Sequence, residues 1–210
     1  MPMKNDREYR SFQLDIAEGE EKVVRGYATT FNNEYTLYED EDYVIREVVD
    51  PSAFNDTDMN DVIMQYNHEG RVFARISNDT LKLSTDEEGL AIEADLGGTE
   101  IGRNLYEEIA GGYTNKMSMG FKVDRTADVW TREMTDGKTV EVRRINRILK
   151  LYDVSAVSIP ANDATSISVR TLVDGEIEKL RAERLEAEEL ELAKLRAETR
   201  ARALGGHNGN

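Results

Sequence analysis

Between residues 12 and 173, apolar and polar positions alternate in short runs separated by turn residues, the pattern of half-buried strands. KVVRGYATTF, YVIREVV, DVIMQYNH, TLKLST, GLAIEADL, KMSMGFKV, ADVWTREM, TVEVRRINRILKLYDVSAVSIP and SISVR all combine β-branched or aromatic residues with partial alternation, and each predicts strand. Asp136-Gly137 lies between two such runs and predicts a type I′ hairpin; DEEG at 86 to 89 links another pair. One helix interrupts the series. Thr99 is its N-cap, Ile101, Leu105 and Ile109 share one face, and Gly111-Gly112 stop it. The elements predict a β-rich α+β domain, a strongly curved sheet or closed β-barrel with one or two packed helices.

The pattern changes at Asp174-Gly175. The stretch that follows has no Pro and almost only strong helix formers, so residues 176 to 203 predict one exposed helix. Its leucines form no sustained heptad. A solvated helix held by i,i+4 ion pairs and a weak partner-binding or coiled-coil helix are both open readings. The chain therefore divides into a folded domain, 1–174, and a charged helical tail, 175–210, whose GGHNGN ending reads as disordered.

Composition narrows the function classes. The net charge is −15, of which the helix contributes only −1, so the acidity belongs to the folded domain. That charge repels phosphate backbones and argues against nucleic acid as the main partner. There are no cysteines, which excludes disulfides and Cys-ligated metal sites and suits an intracellular setting. No apolar run is long enough to span a bilayer, and the N-terminus lacks a signal-peptide pattern, so a soluble protein is expected.

Three residues could carry chemistry. Of two histidines, His207 lies in the tail, so imidazole chemistry in the domain falls to His68, where a strand ends and a Gly-containing turn begins. On KMSMGFKV, Met117, Met119, Phe121 and Val123 share one face and Lys116, Ser118 and Lys122 the other. The apolar face anchors the strand and Ser118 is expected to point into solvent or a cleft, with Gly120 leaving room for a substrate backbone. Asp153 sits within an apolar strand, where a carboxylate needs a specific partner. An imidazole N–H or the guanidinium of Arg143 or Arg144 could serve.

Taken together, VVRGYATTFN, REVVDPSAF, YNHEG, TDEEGLAIEADL, IAGGYTNKMSMGF and LYDVSAVSIPAND resemble the prohead maturation proteases of tailed bacteriophages, over about residues 23 to 170. The resemblance implies a serine endopeptidase on a herpesvirus-assemblin-like β-barrel wrapped by helices, working in the host cytoplasm inside the assembling prohead. It implies as partners the major capsid protein with its scaffolding segment and the protease itself, through autocleavage and self-association, and no cofactor or metal. The histidine of an N-H-D-like motif falls on His68 and the serine of S-x-G-F on Ser118. The third member is Glu in an L-x-E-V-S motif; here LYDVS offers Asp153, one methylene shorter. Ser52 stands where the family has glycine, and NHE replaces NHD, so Glu69 is an alternative partner for His68, ranked below Asp153 because adjacent strand residues point apart. Backbone N–H groups near Arg143 and Arg144 are candidate oxyanion donors. The rival reading is a catalytically inactive assembly factor on the same fold, which would have no reason to keep all three residues. No G-x-S-x-G elbow supports an esterase of the α/β-hydrolase type.

Overall fold

The computed structural model describes residues 8–16, 22–158 and 167–205. It divides into two compact units, Met1–Arg170 and Thr171–Asn210. The first contains two sheets. Its strands are β1 Glu8–Ile16, β2 Val23–Thr30, β3 Tyr35–Glu39, β4 Tyr43–Val49, β5 Ile63–Tyr66, β6 Glu69–Arg75, β7 Leu81–Thr85, β8 Gly89–Asp95, β9 Lys116–Val123, β10 Val129–Thr135, β11 Lys138–Ile145 and β12 Ile148–Val157. Eight form one sheet in the order β6-β5-β12-β9-β1-β2-β8-β7, and four form the other, β10-β11-β4-β3.

Alternation explains which face each strand buries. Val24 and Ala28 of β2, Leu90, Ile92 and Ala94 of β8, Met117, Met119 and Phe121 of β9 and Val154 and Ala156 of β12 enter one common core. Helix α1, Glu100–Ala110, adds Leu105, Tyr106 and Ile109 to it. Thr99 caps α1 by accepting the Gly102 N–H at 3.1 Å, as expected. The turn at Asp136-Gly137 has φ of 53° and 82° and joins β10 to β11 with Thr135 opposite Lys138, the two-residue hairpin that its sequence predicts. In the four-stranded sheet the largest fully buried side chain is Arg143, held by Glu47 at 2.8 Å and Asp128 at 2.7 Å.

Several expectations need correction. The eight-stranded sheet is open and not a closed barrel. Its end strands β6 and β7 come into contact but form no ladder. The short 3-10 turn Ile76–Asn78 and a left-handed Asp79 separate them, and the Thr80 hydroxyl takes the Arg75 N–H at 2.9 Å in place of a backbone carbonyl. Between these ends lies a cavity of about 370 Å³, lined in part by Val72, Arg75, Thr80 and Thr99, which contains none of the three candidate residues. Among the described residues of this unit, α1 is the one packed α-helix, so a barrel wrapped by a few helices is not what forms.

SISVR is not a strand. Ile167 to Arg170 open helix α2, Ile167–Gly205, which is longer than the expected 176–203. The β-branched residues there carry only a weak strand preference, overridden by continuity with the strong helix formers that follow. β1, β3 and β6 were not among the expected strands. The ending at 206–210, with His207, lies outside the described residues.

Candidate active site

Strand β9 carries Ser118 in the interior of the eight-stranded sheet, with β12 on one side and β1 on the other. Met117, Met119 and Phe121 are fully buried in the core, as their alternation requires. Ser118 and Gly120 point to the opposite face. Ser118 is not on an exposed surface: it is 0% accessible, and among the described residues its Oγ has no hydrogen-bond partner. Its register partners on the flanking strands are Ser11 and Ser155, and β9 is buried on both faces at this point, so the expectation of solvent exposure fails. An unbonded buried hydroxyl costs about 1 to 3 kcal/mol, so its presence asks for a reason other than stability.

His68 stands on a two-residue turn between β5 and β6, with Tyr66 opposite Glu69. Asn67 and His68 have φ of 51° and 59°, both in the left-handed region, the signature of a type I′ hairpin. That turn favours Asn-Gly, so histidine at its second position carries a strain of roughly 1 to 2 kcal/mol. Asn67 offsets part of it. Its backbone N–H donates to the Ala156 carbonyl at 2.9 Å, its Oδ1 accepts from the Ser158 N–H at 3.0 Å, and its Nδ2 donates to the Ser158 hydroxyl at 3.2 Å. The turn is thus tied to the end of β12. The turn does begin near His68 as expected, but Gly70, the glycine expected within it, lies on β6 with φ of 76°.

Asp153 lies on β12, which pairs with β9 on one edge and with β5 on the other. Its register partner on β9 is Gly120, and that of Ser155 is Ser118. Asp153 is 1% accessible, and its Oδ1 accepts from His68 Nδ1. The same oxygen accepts from Ser155 Oγ at 3.0 Å. Residues directly opposite on antiparallel strands are about 4.5 to 5.5 Å apart between Cα atoms, so Ser118, Ser155, Asp153 and the imidazole occupy one small area of the sheet.

The arginine alternatives for Asp153 do not hold. Arg143 is taken by Glu47 and Asp128, and Arg144 pairs with Asp50 at 3.1 Å, both from the other sheet. β11 is an interior strand laddered to β10 and β4, so its backbone donors are committed there and do not form an oxyanion hole for Ser118. Glu69 is exposed at the start of β6, while the ring of His68 reaches Asp153. Ser155 and the Asn67 tether were not singled out from sequence. Ser155 was within reach of it, since it follows Asp153 by two and so shares its strand face.

A model of the caudovirus prohead serine protease family matches residues 8–179 of the chain. No curated protein and no solved structure matches it.

Proposed function

The chain belongs to the caudovirus prohead serine protease family, a family of serine endopeptidases, and we propose that Ser118 is its nucleophile, His68 its general base and Asp153 the group that orients the imidazole. One observation carries this reading: the bond from His68 Nδ1 to Asp153, made on the strand next to the one that bears Ser118. An imidazole that donates through Nδ1 presents Nε2 as its basic atom.

The chemistry follows the serine-protease pattern. Nε2 takes the Ser118 proton as Oγ bonds to the scissile carbonyl carbon, giving a tetrahedral oxyanion. Collapse breaks the C–N bond, His68 hands the proton to the leaving amine, and an ester to Ser118 remains. Water then gives a proton to His68 and attacks the ester; the new acid leaves and Ser118 regains its proton. Asp153 stays ionised throughout and balances the imidazolium charge. General base catalysis of this kind contributes about 10²- to 10⁴-fold. Gly120, beside Ser118 on the same face, is itself buried and stands opposite Asp153.

The substrates are the scaffolding segment of the major capsid protein and the protease's own chain, cut inside the prohead. Residues 1–174 are the protease domain, and 175–210 are a charged tail open to self-trimming. Labelling with a fluorophosphonate probe, followed by peptide mapping, tests the assignment. The label should lie on Ser118, vanish in Ser118→Ala and form at least a hundredfold more slowly in His68→Ala. Label on another serine, or undiminished labelling of Ser118→Ala, contradicts it.

A further inference from the structure

We propose that Ser155 is a positioning residue for this site, holding the Asp153 carboxylate in the orientation that His68 requires. The inference rests on the assignment of Asp153 as the imidazole's partner. Three observations converge on it. Ser155 is 0% accessible, its hydroxyl donates to Asp153 Oδ1 at 3.0 Å, and that oxygen is the one that accepts from His68 Nδ1. Its register partner across the ladder is Ser118.

The arrangement answers a problem of reach. Aspartate has one methylene fewer than glutamate, so its carboxylate has fewer orientations from a fixed strand and each matters more. Rotation about χ2 would carry Oδ1 away from the imidazole. A second donor two residues along the same strand face restrains that rotation, because both donors are met only when Oδ1 lies between them. The backbone of β12 is already laddered to β9 and β5, so the Ser155 hydroxyl is not needed for pairing and is available to the carboxylate. A hydroxyl that gives its proton to Asp153 is also not the one poised to give a proton to His68. Ser155 therefore differs in role from Ser118, although the two stand opposite each other.

The test is the rate of fluorophosphonate labelling of the full chain, followed to saturation so that the limiting rate and the half-saturating concentration separate. Ser155→Ala should still label on Ser118, with the limiting rate about tenfold lower and the half-saturating concentration unchanged. In an Asp153→Ala background, the same substitution should change the rate less than twofold, since the carboxylate it holds is already lost. A merely structural role would give the full tenfold in both backgrounds and would overturn the proposal, as would a wild-type rate for Ser155→Ala. Ser155→Cys, close in size and a weaker donor, covers the case in which the alanine variant does not fold: a limiting rate about threefold down is expected, and wild-type behaviour overturns the proposal. If Ser118→Ala labels normally, the site assignment itself has failed; if Ser118→Ala is silent while Ser155→Ala is normal, only the role of Ser155 has.

Discussion

Ser118 and Ser155 stand opposite each other on the paired strands β9 and β12, yet their hydroxyls are in different states. That of Ser155 is bonded to Asp153, whereas that of Ser118 has no partner among the described residues. Proteins rarely leave a fully buried hydroxyl unbonded, and the exceptions gather where stability is given up for chemistry.

Ser118→Ala should therefore leave the fold intact. It deletes an unbonded polar atom from a buried site, so the variant should be as stable as the wild type or about 1 kcal/mol more so. Urea unfolding measures this. A loss above about 2 kcal/mol would mean that the hydroxyl is bonded in solution.

The left-handed turn gives a graded prediction. Asn67→Gly keeps φ near 51° without strain but removes the side-chain bonds to Ser158, a net loss of about 1 kcal/mol. Asn67→Ala loses the same bonds and adds about 1 kcal/mol of left-handed strain. Stability should fall in the order wild type, glycine variant, alanine variant. An alanine variant as stable as the glycine one would contradict the turn geometry.

The parts of this site differ in how openly the sequence declares them. The core face of strand β9 is readable to the residue because four apolar side chains recur at period two, but the burial of the opposite face, with Ser118, is not. Asp153 is readable as a carboxylate that must have a partner, since burial makes an unpaired one too costly. Which partner it takes is not readable, because the choice between His68 and the arginines depends on strand order. β12 lies beside β5 and β9, while Arg143 and Arg144 lie in the other sheet. The turn was expected to begin at His68 and to contain a glycine. The protein instead holds the left-handed positions with Asn67 and His68, a choice that runs against local preference. β1 was missed because EYRSFQLDI alternates only in its second half, although its place between β9 and β2 is set by pairing. Closure of the barrel depends on whether two distant ends form a ladder, which alternation within a strand does not address.

Arg143 is the electrostatic anchor of the four-stranded sheet. Arg143→Met would leave the buried carboxylates of Glu47 and Asp128 without this guanidinium, at a cost of about 3 to 5 kcal/mol in urea unfolding. A loss below about 1 kcal/mol would show that the cluster rearranges at little cost.

Asp50 supplies a pH signature. Hydrogen bonds from the Ser52 hydroxyl and backbone N–H hold its carboxyl below the ordinary value of 3.8; desolvation opposes them and Arg144 assists. A depressed folded value means that the ionised form stabilises the fold above the ordinary pKa, and that this is lost as pH falls through the lower folded value. The melting temperature of Asp50→Asn should thus lie below that of the wild type at pH 6, with the gap narrowing on acidification below about pH 4. A gap independent of pH from 2 to 6 would assign the effect to the amide itself.

The central claim is that Ser118 cuts capsid protein. Co-expression of the full chain with the major capsid protein of the same phage, read by intact mass, tests it most directly. Wild type should shorten the capsid protein by its scaffolding segment, and Ser118→Ala should leave it at full length. Equal shortening by both, or no shortening by the wild type in assembled proheads, would contradict the account.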